Sequence, residues 1–312
     1  MISWGVNALN HGSSLAVFKD GVLISNSFDK QDELSEETLQ AALLIGHPNH
    51  VFWYENPWDK KARQLCAGQW RRALDMSVLP SRYLKKSNVS KTPITYTPHH
   101  ASHAAAGYYT SPFNHCAIVV LDAIGEFECA SIWEGRGSEL KKVWSRNYPN
   151  SLGLFYSAFT QLCGFTPILE EYRLQQLAEQ GDSEIYYADV RSYFDGIILL
   201  NRNLHKGVQD WPYEINSENV AHIAAAVQRV FEEQVNQVMV TAKRLTNSNK
   251  LVYMGGCAMN SRANRLFEDD WKYIWSLPQP GDPSSSIGAV LYHTKRKLKW
   301  TGPLAKHITI KV

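Results

Sequence analysis

The sequence predicts an α/β protein with a duplicated two-lobe architecture, in which mixed sheets are flanked by helices. Two observations carry this prediction. A three-strand pattern begins near residue 2 and again near residue 116, and helical patterns follow each of them. The chain has 312 residues, of which 44% are hydrophobic and 20% are charged, so it is long and apolar enough to bury a sizeable core.

The first lobe is expected to begin with a hairpin sheet. Residues 2–9 and 14–19 have strand patterns, Lys19-Asp20-Gly21 carries the Asp-Gly signal of a tight turn, and residues 22–25 form the returning strand. Ser35 is placed to cap a helix that opens with acidic residues. The remaining elements predicted for this lobe are a strand over 50–54, partly helical structure over 58–86 and a helix that begins near residue 99.

The second lobe repeats that beginning. A buried type of strand over 116–122 is followed by the breaker Gly125, a returning strand over 129–133 and a third strand over 142–148. The next predicted elements are a helix over 151–163 and a helix over 217–245 that Ser217 caps. They are followed by a strand over 251–254, a helix to about 267, a loop over 278–283 and a helix over 284–295. The junction between the lobes is expected near 110–116 or near 150, and the division adopted is lobe I over about 1–112, lobe II over about 113–295 and a basic C-terminal extension over 296–312, all within one domain.

Charge and cysteine content exclude few classes of partner. The formal net charge of +2 neither favours nor excludes an anionic partner, and no apolar run approaches the ~18 residues of a membrane span. The five cysteines contain no Cys-x-x-Cys pair, so we interpret them as free structural thiols in a reducing compartment. Because the sequence also opens without a secretory signal pattern, we expect a cytoplasmic protein that does not associate with membranes.

The segment 98–109 carries the strongest chemical pattern. His99 and His103 are four residues apart, so on a helix both imidazoles lie on one face and can share a metal ion. The small residues that follow would let another helix pack closely behind them. Asp282 lies in a turn before the last predicted helix, where it is either the N-cap of that helix or a third, carboxylate ligand of a site suited to Fe(II) or Zn(II).

Three other segments have residues of the kind that bind ligands. Asp122 ends a buried strand beside a glycine turn, where a carboxylate either faces a ligand cleft or only caps the turn. Gly255-Gly256 stands between a strand and a helix, so a phosphate can approach the backbone there. His11 lies in a polar turn whose amides and hydroxyls suit an anion, although an ordinary hairpin turn explains the same residues.

The segment 58–86 is basic and contains tryptophans. Basic side chains with interleaved aromatic rings can follow phosphates and stack on bases. The alternative is a solvated helix face whose aromatic side chains turn into the core. Both interpretations stay open, and the five cations that nucleic-acid binding would use are Lys60, Lys61, Arg63, Arg71 and Arg72.

Six motifs occur in order along the chain, and a weaker one precedes them. The six are His-His-x-Ser-His-Ala at 99–104, Tyr-Tyr-x-Ser-Pro-Phe at 108–113, Asp-x-x-Gly-Glu at 122–126, Ser-Leu-Gly-x-x-Tyr-Ser at 151–157, Gly-Gly-x-Ala-x-Asn at 255–260 and Gly-Asp at 281–282. The weaker one is Phe-Trp-Tyr-Glu-Asn-Pro at 52–57. This set resembles the nodulation-type O-carbamoyltransferases, and the resemblance runs from about residue 3 to about residue 293.

The resemblance implies a fold, a reaction and site residues. The catalytic domain of that family is similar to the tRNA threonylcarbamoyl-transfer protein, and both have the duplicated lobes of the actin and sugar-kinase superfamily. By this resemblance, His99, His103 and Asp282 would hold a metal, with iron expected and zinc or manganese as alternatives. His11 and Asp122 would be catalytic, His11 by orienting or deprotonating the acceptor hydroxyl. The residues implied to bind the nucleotide or the carbamoyl group are Ser151, Gly153, Arg173, Gly255, Gly256 and Asn260.

The chain departs from the family pattern in two ways. Its first turn has Asn10-His11-Gly12 where members have Gly-His-Asp, and Arg173 stands where they have lysine. Members also carry a C-terminal domain, which makes carbamoyl-adenylate from carbamoyl phosphate and ATP, and this domain is expected to be missing here. We therefore expect either that a separate activating protein supplies the adenylate or that the chain uses carbamoyl phosphate directly.

Three functions remain open at this point. The first is transfer of a carbamoyl group from carbamoyl phosphate, directly or through carbamoyl-adenylate, to an acceptor hydroxyl, for which the basic segment favours a 5-hydroxymethylpyrimidine in DNA. The second is threonylcarbamoyl transfer to a tRNA adenosine. The third is a non-catalytic, nucleotide-binding partner subunit. The three expected metal ligands are all present, which favours an enzyme over the third function.

Overall fold

The protein contains two five-stranded sheets of the same design, as seen in a computed structural model that describes residues 1–87, 89 and 91–312. In each sheet, three antiparallel strands that follow one another in sequence are extended on one side by two parallel strands. The elements of the first half are β1 (Ile2–Asn10), β2 (Gly12–Lys19), β3 (Val22–Asp29), α1 (Glu36–Ile45), β4 (His50–Trp53), α2 (Pro57–Cys66), α3 (Trp70–Leu74), α4 (Pro80–Lys86) and β5 (Ile94–Tyr96).

The first sheet has the strand order β3-β2-β1-β4-β5. The turn between β2 and β3 is the predicted tight one, since Asp20 and Gly21 both have positive φ, at 54° and 83°, as a two-residue hairpin turn requires. Ser35 caps α1 as predicted, because its Oγ accepts a hydrogen bond from the Thr38 N–H at 3.1 Å. The hairpin that opens the chain is therefore set by local sequence signals.

The second sheet has the order β12-β11-β6-β7-β8 and repeats the first one strand for strand. This confirms the duplicated α/β architecture. The elements of this half are α5 (His99–Thr110), β6 (His115–Leu121), β7 (Glu128–Arg136), β8 (Glu139–Asn147), α6 (Leu152–Leu162), α7 (Glu171–Leu177), α8 (Tyr187–Arg191), β9 (Phe194–Gly196), β10 (Leu199–Leu200), α9 (Val220–Thr246), β11 (Lys250–Met254), α10 (Ser261–Phe267), β12 (Tyr273–Trp275) and α11 (Ser285–Thr294).

Two helices that lie against one another, α5 and α11, occupy the middle of the molecule. Their backbones touch at Gly288, where a Cβ atom would lie 1.7 Å from the Ser102 carbonyl oxygen. On its other side α11 packs against β1, where a Cβ on Gly5 would lie 1.8 Å from the Ser286 carbonyl oxygen. Every residue of α5 is buried. The small residues after the histidine pair thus allow the close helix packing that was predicted.

The structure corrects three local expectations. The helix predicted from Ser217 begins at Val220, and Asn219 occupies the N-cap position, because the Asn216 side chain holds residues 218–219 in a preceding turn. Asp282 lies in a single 3₁₀ turn, and Ser284 is the N-cap of α11. The C-terminal extension, whose last residues have a strand-like sequence pattern, forms one isolated bridge between Lys311 and Ile274 in place of the strand that this pattern predicts. Within the described residues, no helix combines the length and the apolar character that crossing a bilayer requires.

Candidate functional site

Four buried or nearly buried side chains from three parts of the fold converge on one point. His99 and His103 lie one turn apart at the start of α5, and their Nε2 atoms are 3.0 Å from one another. Asp122 directly follows β6, and its Oδ2 lies 3.2 Å from His99 Nε2 and 3.1 Å from His103 Nε2. The Oδ1 of Asp282 lies 3.4 Å from both of those nitrogens. One donor atom from each residue fits within a span of 4.8 Å; we call this set the His-Asp cluster.

The start of α5 is held by a carboxylate from outside the helix. Pro98, at the N-cap position, offers no side-chain cap. Both oxygens of Glu126 accept hydrogen bonds from the His99 N–H at 3.0 Å, and one also accepts from the Asn56 N–H at 2.6 Å. A negative charge at a helix N-terminus is stabilised by the unpaired N–H groups and the helix dipole. Glu126 therefore fixes the turn of α5 that carries His99.

Neighbouring hydroxyl groups orient the other histidine rings. The Nδ1 of His103 is 3.3 Å from Ser285 Oγ on α11, and the Nδ1 of His100 is 2.8 Å from Ser131 Oγ on β7. A second-shell partner on one ring nitrogen leaves the other nitrogen to face a ligand. His103 is thereby oriented with Nε2 toward the His-Asp cluster, while His100 contributes no donor atom to it.

The charges within the cluster support one another. Burial disfavours the charged carboxylate of Asp122, but hydrogen bonds from His103 and His99 outweigh it and hold the Asp122 pKa well below its ordinary value. For His99, burial disfavours the imidazolium, yet the carboxylates of Asp282 and Asp122 raise the pKa to about 10. The two carboxylates thus stabilise positive charge on the imidazoles between them, so the site attracts positive charge.

The residues present fit a divalent metal ion. Two imidazole nitrogens and two carboxylate oxygens are the donors of choice for Fe(II), Zn(II) or Mn(II). The Nε2 atoms of His99 and His103 face each other at 3.0 Å, so in their unprotonated form both imidazoles can bind one cation. Donor oxygens of Asp122 and Asp282 lie within the 4.8 Å span of the cluster, so the two carboxylates repel one another unless a positive charge lies between them. Asp122 thereby joins the three ligands that the resemblance implied.

The hairpin that carries His11 reaches the edge of the cluster. Asn10 donates a hydrogen bond from Nδ2 to Asp282 Oδ2 at 3.1 Å. His11 follows it in the turn between β1 and β2 and is exposed. The structure therefore brings the turn that carries His11 to the edge of the cluster.

The two glycines after β11 let the backbone approach the cluster closely. Gly255 has a φ of +93°, and a Cβ there would lie 2.2 Å from the Leu121 carbonyl oxygen. A Cβ on Gly256 would lie 3.1 Å from Asp122 Oδ1. On the opposite side, Ser151 donates from Oγ to the Ala123 carbonyl oxygen at 2.5 Å, and Gly153 lies against the same residue. Four of the six residues implied to bind the nucleotide or the carbamoyl group therefore pack around the segment that begins with Asp122.

The other two residues of that set lie differently. Asn260 is buried, and its amide makes two hydrogen bonds of 3.0 Å with Gln228 while it caps α10. Arg173 is exposed, is ion-paired with Glu170 at 2.7 Å, and lies over the ring of Phe165. Both side chains are thus engaged within the protein, away from the cluster.

The basic segment is less exposed than the sequence predicted. Lys61 is buried, and its ammonium donates to the carbonyl oxygens of Ala73 and Asp75 at 3.1 and 2.6 Å. Arg63 is buried as well, and its Nε donates to the Glu126 carbonyl oxygen at 3.2 Å. These two cations are structural and do not present their charge to a nucleic acid. Lys60 is paired with Glu55, whereas Arg71 and Arg72 are exposed.

Sequence reasoning did not assign three residues that surround the cluster. Glu126 belongs to the motif at 122–126, Tyr54 belongs to the weaker motif at 52–57 and Asn10 precedes His11, so each had a weak signal. The third is Tyr54, whose ring lies 5.4 Å from that of His99 and whose hydroxyl is buried with no partner among the described residues. Burial raises the pKa of the Tyr54 hydroxyl well above its ordinary value, so it is a neutral donor beside the cluster.

Comparison with known proteins identifies a family and several relatives that this chain resembles. A family model described as "Carbamoyltransferase N-terminus" matches residues 26–291. An uncharacterized protein of Synechocystis is 28% identical over 92% of this chain and 56% of its own length. The nodulation protein NolNO of Sinorhizobium fredii is 26% identical over 66% of this chain and 32% of its own length. The chain thus spans about half or less of these relatives.

A solved structure shows the same arrangement of elements. Component A of the (R)-2-hydroxyglutaryl-CoA dehydratase of Acidaminococcus fermentans superposes with a TM-score of 0.51 at 12% identity. The superposition covers 95% of this chain and 99% of that one. At this identity the match concerns the fold alone. With the repeated sheets, it shows the actin and sugar-kinase type of fold that was expected.

Proposed function

The chain belongs to the carbamoyltransferase N-terminus family, and from that premise we propose that it transfers a carbamoyl group to the oxygen of an acceptor hydroxyl. The observation that carries this proposal is the His-Asp cluster, in which His99, His103, Asp122 and Asp282 converge at the junction of the two sheets. A cation held there would polarise the carbamoyl oxygen as a Lewis acid.

We take carbamoyl phosphate as the donor. In the proposed step the acceptor oxygen bonds to the carbamoyl carbon, the bond from that carbon to the phosphate oxygen breaks, and phosphate leaves. His11 accepts the hydroxyl proton, which its exposed position at the edge of the cluster supports. Gly256 carries no side chain beside Asp122, which supports a close approach of the phosphate to the backbone there.

The remaining residues hold this arrangement in place. Glu126 fixes the helix turn of His99, and Asn10 orients Asp282 through a 3.1 Å hydrogen bond. Tyr54 encloses the cluster on one side and excludes water there, because it is fully buried. Rigid positioning of this kind lowers the cost of bringing donor and acceptor together.

A route through ATP is the alternative within the same proposal. It would place carbamoyl-adenylate between the sheets, with the adenosine near Gly255 and Gly256. The internal pairing of Asn260 and the surface position of Arg173 give this route less support than direct use of carbamoyl phosphate. A separate activating protein would be needed only if the ATP route operates.

We propose DNA that contains 5-hydroxymethylpyrimidine as the first acceptor to test. The support is the exposed surface around Arg71 and Arg72, beside the half-exposed rings of Trp58 and Trp70. Basic groups and aromatic rings of this kind suit a phosphate backbone and unstacked bases.

The test is a transfer reaction with purified protein loaded with Fe²⁺ under anaerobic conditions. Carbamoyl phosphate, with or without ATP, is incubated with DNA containing 5-hydroxymethylcytosine, and nucleosides are analysed by mass spectrometry. We expect the base to gain the mass of one carbamoyl group without ATP. A gain only with ATP would favour the adenylate route. If the loaded protein neither modifies an acceptor nor releases phosphate from carbamoyl phosphate, the proposed reaction is wrong.

A further inference from the structure

A cavity of about 400 Å³ lies where the end of α2 meets the loop after β10. Its wall includes Cys66 at the end of α2 and Tyr148 after β8. The loop contributes side chains of mixed polar character, namely Arg202, Asn203, His205, Lys206 and Asp210. The cavity is thus built from both halves of the molecule and has the volume of a small polar metabolite.

Hydrogen bonds connect the cavity to the His-Asp cluster. His205 in the cavity wall has its Nε2 2.7 Å from Gln69 Nε2, and Gln69 accepts from Arg63 Nη1 at 3.1 Å. Arg63 in turn donates to the Glu126 carbonyl oxygen, and the Glu126 carboxylate holds His99. Four consecutive hydrogen bonds therefore join the cavity to a residue of the cluster.

The charge of the cavity is positive. Arg202 is neutralised by an ion pair with Asp210 and lies over the ring of Tyr193 at 4.2 Å. Lys206 is exposed, and none of the carboxylates in the described part of the chain pairs with it. Burial and the positive charges of Arg63 and Arg72 lower the pKa of His205 in the cavity wall. The guanidinium of Arg72 therefore contributes to the positive potential of the cavity. An anion is the complement of such a site.

The cavity also offers groups that recognise hydroxyls. The Tyr148 hydroxyl accepts from Asn203 Nδ2 at 2.8 Å, and its ring lies edge-on to His205 with 5.5 Å between the centroids. The Nδ1 of His205 is buried and has no partner among the described residues. Amide, phenol and imidazole groups around one free ammonium suit a ligand that carries both hydroxyls and an anionic group.

We propose that this cavity binds a phosphorylated sugar unit of the acceptor, at a distance from the His-Asp cluster where the hydroxyl reacts. That the ligand belongs to the acceptor rests on the proposed function. The chemical class of the ligand rests on the cavity alone. A phosphorylated sugar unit can come from a free sugar phosphate or from a nucleotide of a DNA strand. Both sources present a phosphate group attached to a sugar, and the free sugar phosphate also offers ring hydroxyls.

Cys66 provides a reporter of occupancy. It lines the cavity and is exposed, whereas the other four cysteines are buried. A maleimide dye should therefore label the native protein at Cys66, and the Cys66→Ser variant gives the background. The rate of labelling is measured with glucose 6-phosphate, with glucose, with inorganic phosphate, and with a single-stranded oligonucleotide containing 5-hydroxymethylcytosine.

We expect glucose 6-phosphate or the oligonucleotide to slow labelling several-fold in a saturable manner, and glucose to have little effect. Lys206→Glu should abolish that protection, whereas Lys306→Glu, an exposed lysine of the C-terminal extension, should keep it. Protection by the sugar phosphate alone assigns a small-molecule acceptor, and protection by the oligonucleotide alone assigns the DNA strand. Either outcome supports the proposal.

The proposal would be overturned if neither phosphorylated probe protects Cys66, or if Lys206→Glu is protected as well as the wild type. It would also be overturned if inorganic phosphate protects as well as glucose 6-phosphate, because the site would then bind anions without recognising the sugar. The labelling assay needs no carbamoyl transfer. Protection in a protein that fails the transfer test would therefore leave the cavity assignment intact and overturn the proposed function only.

Discussion

Asp122 is the side chain that completes the His-Asp cluster, and its carboxylate is nearly buried against two imidazole nitrogens at 3.1 and 3.2 Å. Asp122→Asn keeps the shape and removes the charge, so we expect most of the affinity for Fe²⁺ or Zn²⁺ to be lost. Metal content after anaerobic loading and desalting measures this. The control is Asp269→Asn, at an exposed carboxylate far along the chain. Equal metal content in both variants would show that Asp122 is not a ligand.

Glu126 acts on the cluster through the backbone of His99. Glu126→Gln leaves one acceptor oxygen where two held the helix start, so we expect metal affinity to fall by about 10–100-fold, as for other second-shell groups. Competition with a chromogenic chelator gives the affinity. Glu134→Gln, at a partly exposed ion pair with Arg136, is the matched control. An unchanged affinity with an unchanged thermal midpoint would remove Glu126 from the positioning role.

The contact between α5 and α11 tolerates no added atoms. Gly288→Ala would place a methyl group 1.7 Å from the Ser102 carbonyl oxygen, so the helices must separate. We expect a loss of about 1–3 kcal/mol in the free energy of unfolding, as for other overpacked interiors. Urea unfolding measures it. Gly196→Ala is the control, because its Cβ would meet its nearest neighbour at an ordinary 3.7 Å, and a similar loss there would contradict the packing argument.

The C-terminal extension is attached through buried polar groups that include a histidine. Burial lowers the pKa of His307 from its ordinary value of 6.5, and its Nε2 has no partner among the described residues. The unfolded chain therefore takes up the proton first as pH falls below 6.5, and stability present above that pH is lost. His307→Gln should flatten the decline of the urea midpoint at acid pH. The exposed His47→Gln should not, and an equal effect of both would exclude this origin.

The elements show where the sequence is informative and where it is not. The repeated hairpin sheets and the histidine pair follow from local patterns, since strand alternation, Asp20-Gly21 and an i, i+4 spacing need no distant partner. The burial of Lys61 and Arg63 does not follow from local pattern, because it depends on carbonyl groups that only the folded chain assembles. Likewise, the sequence left Asp282 as either a helix N-cap or a ligand, because its separation of 179 positions from His103 leaves no local signal of their contact.

The cluster draws on α5, the end of β6 and the turn before α11, and Asn10 of the first half contacts Asp282, so a bound ion would connect segments that are far apart in sequence. Removing metal with a chelator should lower the thermal midpoint, and restoring it at 100 times the dissociation constant should return about 2.7 kcal/mol of stability. Differential scanning fluorimetry follows the change. Asp122→Asn should show no response to added metal. Identical midpoints for the stripped and reloaded wild type would mean that no ion stabilises the fold.

The helix contact at Gly288 also bears on which ion can enter. α5 supplies both imidazoles, and α11 begins just after Asp282. Because the backbones of the two helices touch at Gly288, the helices cannot move to enlarge the site. Calcium needs six to eight oxygen donors at longer metal–ligand distances. For this ion the site would be too small and would offer too many nitrogen donors. Two touching backbones, at Ser102 next to His103 and at Gly288 six residues after Asp282, would thereby make the site select an ion by its radius as well as by its charge.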